Sequence, residues 1–185
     1  MTHAPLASPD DVLRFWFVEL DRADWWRKSA ALDRRIAEIF GPTLTAAARC
    51  ELYAWRATPP GRLAEVIVLD QFSRNIHRDT AGAFANDALA LALAQEAVAL
   101  GCDRQLPVER RTFLYLPYMH SESALIHQAA LQLFDTPGLE QNLEFERRHK
   151  AIIDRFGRYP HRNAALGRTS TAEEVVFLQQ PGSSF

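Results

Sequence analysis

Cysteine is scarce in this chain: Cys50 and Cys102 are the only two in 185 residues, and neither sits in a CxxC or CxxH spacing. That excludes a disulfide framework and a thiolate zinc site, and two core thiols in a reducing cytoplasm are expected. Long apolar runs are missing too. Every candidate is interrupted by a charge well short of the roughly 20 residues that span a bilayer, so no membrane partner is expected. Met1 to Asp11 lack a basic stretch followed by an apolar one, so no secretory signal is expected either. Charge of one sign is not in excess: the formal net charge of -2 argues against general nucleic-acid binding, which needs a basic surface. Strand-like alternation is also absent. With 48% hydrophobic residues, a chain of this length can bury one core without dividing in two, and a single α-helical domain over residues 1–185 is expected.

One deficit is local. Residues 155–172 contain no Asp or Glu, yet they carry Arg155, Arg158, His161, Arg162 and Arg168 in a stretch punctuated by Gly157, Pro160 and Gly167. Arginine cannot shed its charge, and its planar fork suits two-point contact with carboxylate or phosphate. Either this loop neutralises acids elsewhere in the fold, or it receives an anionic ligand.

What is present repeats at helical period. Ser8-Pro9-Asp10-Asp11 reads as an N-cap, a proline at the first helical position and acids on the positive end of the dipole, opening a helix to about Leu20. A second helix near Trp25 to Phe40 is expected to stop at Gly41-Pro42. A third runs from Thr43 to Trp55, a fourth from Arg62 to Ile76, and a fifth from Thr80 to Leu100 with Gly101 as its stop. A sixth begins at Pro107, and Pro117 should kink or break it by leaving the Phe113 carbonyl without a donor. Helical period resumes at Ser121 or Ser123 and continues to Phe134. A long helix then ends at Phe156-Gly157, and Thr171 with Glu174 forms the capping box of a last short one. Short connections favour antiparallel neighbours, and the alanine-rich fifth helix allows close approach of backbones, which suits stacked helical hairpins.

Three constellations could carry chemistry. In the fourth helix, Asp70 follows Leu63, Val66 and Ile67 on one face and should point inward, with Arg74 four residues on, in the order that favours an intrahelical pair. Asp70, Gln71, Arg74 and Asn75 either line one end of a pocket or tie helices together. His120 and Glu122, at the expected Pro117 irregularity, are an acid/base pair or else satisfy broken-helix backbone groups, and a helix start there would keep Glu122 ionised. Glu146 and His149 form a Glu-x-x-His step of the kind used by di-iron bundles, but no second copy exists, and no metal or other cofactor is expected. Among the aromatics, Trp25 and Trp26 cannot both face one core, so one indole is a candidate cover for a pocket mouth.

The stretches Leu69-Asp70-Gln71-Phe72-Ser73-Arg74-Asn75, His120-Ser121-Glu122, Phe156-Gly157-Arg158-Tyr159-Pro160-His161-Arg162-Asn163 and Leu166-Gly167-Arg168-Thr169-Ser170-Thr171 resemble the bacterial family called domain of unknown function 924. Val12-Leu13-Arg14-Phe15-Trp16 and the Trp25-Trp26 pair resemble it as well, and the likeness runs from about Val12 to Phe185. The resemblance implies a right-handed, tetratricopeptide-like α-α superhelix. It implies no activity, because none is assigned to the family. Its motif positions here are Asp70, Gln71, Arg74, Asn75, His120, Ser121, Glu122, His149, Arg158, His161, Arg162, Asn163 and Arg168, all polar, whereas purely structural hallmarks would favour apolar, Gly and Pro positions.

The leading expectation is a polar pocket that binds a small carboxylate or phosphate through Arg74, Arg158, Arg162 and Arg168. Asp70, Gln71, Asn75 and Asn163 would orient the ligand, and His120, Glu122 or His161 would be the catalytic groups if chemistry occurs. The rival expectation is a scaffold that binds a protein or peptide in the concave face of its helical array. On a third reading the arginine loop is only a clamp holding the C-terminal segment to the bundle.

Overall fold

The computed structural model describes residues 6–184, so the first residues of the Met1–Asp11 stretch lie outside the described residues. Among the described residues there are helices and turns and no strand. Helix α1, Pro9–Arg14, opens on the expected capping box: Ser8 Oγ accepts from the Asp11 N–H, and the Asp11 carboxylate accepts from the Ser8 N–H at 3.0 Å. It runs on through one wide π turn, Phe15–Glu19.

Helix α2, Ala30–Ala48, corrects the expected stop at Gly41-Pro42, through which it passes without a break. Pro42 removes the donor owed to the Glu38 carbonyl. Gly41, however, has no Cβ to collide with the proline ring, and that collision is what normally ends a helix before proline. Phe40, Thr43, Leu44, Ala46 and Ala47 are all buried on this stretch, and that burial holds the helix together across the missing bond. The helix starts five residues later than expected, because Arg22–Trp25 forms a separate 3-10 turn. It ends before Cys50, which is exposed with φ 59°; of the two cysteines only Cys102 is buried.

Helix α3, Pro59–Ile67, is capped by Thr58 and continues through a π turn, Val68–Phe72, into α4, Ser73–Ile76. Helix α5, Asp87–Ala99, begins seven residues after the expected Thr80, because Ala81–Phe84 is a 3-10 turn. Ala90, Leu93, Ala94 and Ala97 form its buried face. Helix α6, Val108–Met119, continues past Pro117 and ends at His120, so the irregularity falls three residues later than the proline predicts. Helices α7, Ala124–Phe134, α8, Glu140–Phe156, and α9, Ala172–Leu178, agree with the sequence reading; Gly157 stops α8 at φ 68° and Thr171 caps α9 with Glu174.

Successive helices from α5 to α8 pack on one another, while α3 lies against α1, α5 and α6. The main core joins Trp16, Phe40, Phe72, Phe113 and Phe134 with the fully buried Val66 to Leu69. A smaller cluster around Ile152, Ile153 and Tyr159 anchors the arginine-rich loop. Trp25 turns inward and donates from its indole to the Trp16 carbonyl at 2.8 Å. Trp26 remains 60% exposed, stacked on Phe113.

Candidate functional site

The π turn of Val68–Phe72 places Asp70 at the centre of the site. One extra residue in the turn widens it, and all five residues are buried. Asp70 has no exposed surface. Its Oδ1 meets His120 Nδ1 at 2.8 Å and Arg74 Nη1 at 2.9 Å, and its Oδ2 accepts from Gln71 Nε2 at 2.6 Å. Burial alone would raise its pKa, but Arg74, His120 and Gln71 more than offset this and hold the carboxyl well below the usual range. A carboxylate only accepts, so His120 Nδ1 carries the proton and Nε2 is left with its lone pair. Among the described residues Nε2 has no hydrogen-bond partner, and the His120 side chain is 16% exposed. Burial, followed by the Arg74 charge, lowers the His120 pKa against the pull of Asp70, so the imidazole is neutral near pH 7.

Two further elements close on this dyad. Arg74 Nη1 and Nη2 lie 3.0 and 3.1 Å from the Asp87 carboxylate at the start of α5. From the C-terminal loop, Arg162 Nη1 reaches the same carboxylate at 3.1 Å, and Nη2 donates to the His120 carbonyl at 2.9 Å. The Phe84 and Tyr159 rings each stack on the Arg162 guanidinium at 4.6 Å. Asp70, Gln71, Arg74, His120 and Arg162 therefore converge from three distant stretches of chain, as the sequence reading expects.

The other loop arginines face elsewhere. Arg158 forks onto Glu174 at 2.7 and 2.8 Å, and Arg168 onto Glu122 at 2.6 and 2.9 Å. Arg155 pairs with Glu173. Asn163 joins the two forks, accepting from Arg168 Nε at 2.9 Å and donating to Glu174. Glu122 also accepts the Tyr159 N–H at 2.7 Å. Burial pushes its carboxyl up, and Arg168, the Tyr159 N–H and Arg162 together outweigh that, so it stays ionised. These donors, and not a helix start, account for its charge. Asn75 turns away from Asp70 and, with Arg78, holds Asp33 of α2.

Histidines gather on Tyr159. His127 Nδ1 meets Glu146 at 2.6 Å and its Nε2 meets the Ser121 carbonyl at 2.8 Å, with both side chains fully buried. Glu146 thus serves His127, while His149 Nδ1 donates to the Phe145 carbonyl, so the Glu-x-x-His step is divided between two contacts. The His149 and His161 rings lie 5.8 and 5.5 Å from the Tyr159 ring. Burial pulls His149 down to about 3, and burial with Arg162 pulls His161 down to about 4.

The convergence is a filled cluster open at one edge. Two surface concavities of about 250 and 260 Å³, one lined by Leu131, Gln132, Asp135, Leu143 and Arg147 and the other around Leu20 and Leu32, contain none of its residues. The sequence reading missed Asp87, Phe84 and Tyr159. Asp87 was missed because the sequence reading opens the alanine-rich helix at Thr80, whereas it opens at Asp87. Phe84 had no signal.

A solved structure from Agrobacterium tumefaciens, described as the structure of the protein of unknown function ATU0120, is similar to this chain at 37% identity, with a TM-score of 0.88 over 92% of this chain and 96% of that one. No curated protein matches the chain. The family model described as "Bacterial protein of unknown function (DUF924)" matches residues 12–182. With that match running from within α1 through α9, the chain belongs to the DUF924 family.

Proposed function

We propose that this protein binds a small anionic ligand at the open edge of the Asp70–Arg74–His120–Arg162 cluster, where His120 is poised to accept a proton. The observation that carries this reading is a pair of groups left over on two residues that share Asp70. His120 Nε2 and Arg74 Nε have no hydrogen-bond partner among the described residues, their side chains are 16% and 20% exposed, and both residues hold Asp70 through their other nitrogens. A neutral imidazole with a spare lone pair and a guanidinium with a spare N–H, both held on one carboxylate, can bind an acid and take its proton. Arg158, Arg168 and Asn163 form the clamp that delivers Arg162, and Glu122 belongs to that clamp. The packing of α5 on α6, α6 on α7 and α7 on α8 supports a right-handed, tetratricopeptide-like superhelix as the frame.

Titration with acetate, sulfate and phosphate, followed by the imidazole NMR signals of His120 and by melting temperature, tests the reading. At least one anion should shift the His120 signals and raise the melting temperature with concentration. The rise should vanish in His120→Gln and in folded Arg162→Ala. An unmoved His120 across the whole panel overturns it.

A further inference from the structure

Asp87 is held more loosely than the other acids buried against arginines. Its contacts with Arg74 and Arg162 are 3.0 to 3.1 Å. The forks on Glu65, Glu174 and Glu122 measure 2.6 to 2.9 Å, the ordinary span of a charge-assisted bond. Asp87 Oδ1 is buried, yet its approach to Arg74 is not aligned as a hydrogen bond. Arg162, only 6% exposed, has an Nε–H that is buried without a partner. Two guanidiniums thus frame a seat that Asp87 fills poorly.

Asp87 is also well placed to leave. Its side chain is 18% exposed, it opens α5 behind the Ala81–Phe84 turn, and no side chain caps that helix start. A carboxylate swung out of the seat stays in the first turn of α5, where unpaired N–H groups and the dipole favour an acid.

We propose that Asp87 is a displaceable stand-in, and that the seat between Arg74 and Arg162 takes the carboxylate of a small monocarboxylic acid. This rests on the reading that the cluster binds an anion, and it names the class of ligand. Asp70 and Asp87 balance Arg74 and Arg162, so exchanging Asp87 for one singly charged carboxylate keeps the balance. A phosphate dianion would add an uncompensated charge beside buried Asp70. The rings of Phe84 and Tyr159 cover the Arg162 guanidinium and leave its edge, which suits a planar carboxylate.

The experiment adds acetate or inorganic phosphate to the wild type and to Asp87→Asn, reading the melting temperature and the Arg162 Nε–H signal. Asparagine keeps one acceptor oxygen for the arginines; Asp87→Ser serves if the first variant does not fold. If Asp87 holds the seat about nine-tenths of the time, weakening that internal occupant should tighten acetate binding up to about tenfold, with no comparable gain for phosphate. A folded variant that binds acetate no better than the wild type overturns the stand-in, as does failure of both variants to fold even in acetate. An equal gain for phosphate overturns the carboxylate assignment. If neither protein responds to either anion while His120 responds to sulfate, this inference alone fails; if His120 responds to nothing, the anion-site reading fails with it.

Discussion

Asp70 and the histidines around Tyr159 show how single residues set the behaviour of this site. Asp70→Ala leaves the His120 Nδ1–H without its buried acceptor and Arg74 with Asp87 as its one remaining carboxylate, and should destabilise the fold by about 3 kcal/mol in urea unfolding. A loss near zero would mean that Asp70 is solvated. Asp70 was readable from sequence because its inward direction follows from Leu63, Val66 and Ile67 on the same helical face. The sequence reading puts His120 in the same site, but its hydrogen bond to Asp70 was not readable, since 50 residues separate the two and the packing of α6 on α3 brings them together. The titration of His149 and His161 carries a sign that can be checked. Their folded pKa values, about 3 and about 4, lie below the ordinary 6.5, so the unfolded chain binds the extra protons. Stability from these two residues is present above pH 6.5 and is lost as pH falls toward 4. Buried Glu146 is pushed the other way, since burial outweighs His127 and raises its pKa, and it offsets part of that loss. The urea midpoint should therefore fall between pH 6.5 and 4, and His149→Gln should flatten the slope. A midpoint constant over that range would show that these rings are hydrated.

Among the helices, three ends agree with the sequence reading because they are written locally. Ser8 and Thr171 accept from backbone N–H groups at their helix starts, and Gly157 takes the left-handed conformation that stops α8; the Thr58 and Ser29 caps open α3 and α2 at other residues than the sequence reading expects. The continuity of α2 through Gly41-Pro42 depends on Phe40, Leu44 and Ala47 finding a core, which local rules do not contain. The π turn under Asp70 was likewise not legible, because a helix accepts an extra residue when tertiary packing rewards it. The Gly41-Pro42 pair yields a non-additive prediction. Pro42 is exposed, and Pro42→Ala restores the donor to the Glu38 carbonyl, so it should stabilise the protein by about 1 kcal/mol or more. A Cβ on Gly41 meets nothing within 4 Å beyond its chain neighbours. Gly41→Ala should therefore add about 1 kcal/mol once Pro42 is gone, and should destabilise while Pro42 remains, because the new Cβ then meets the proline ring. A thermal-melting double-mutant cycle measures this, and simple additivity would mean that the ring and residue 41 do not compete.

For the molecule as a whole, the C-terminal segment is bound to the helical body mainly through charge, and this bears on how the site is assembled. The small apolar cluster around Tyr159 holds the loop from one side. From the other, Arg168 forks onto Glu122 and Arg162 reaches Asp87 and the His120 carbonyl, while Arg158 forks onto Glu174 and ties the loop to α9. An arginine loop without an acid of its own announces such a clamp in the sequence, but the acids it meets come from three separate elements and only the fold assigns them. Glu122 is the keystone, since it takes both the Arg168 fork and the Tyr159 N–H. Glu122→Gln keeps its shape but loses its charge, which removes the charge-assisted strength of two contacts and should cost about 1 to 3 kcal/mol. That cost should appear first as local opening, because the helical core does not depend on Glu122. Amide exchange should quicken across residues 157–171, the Tyr159 N–H above all, while the amides of α3 and α6 keep their protection. If Arg162 reaches the cluster only when this loop is docked, the same variant should also weaken any anion-induced rise in melting temperature. Uniformly faster exchange throughout the helices would instead mean that loop and body unfold as one unit, and an unchanged loop would assign the anchoring to Tyr159 and its apolar neighbours alone.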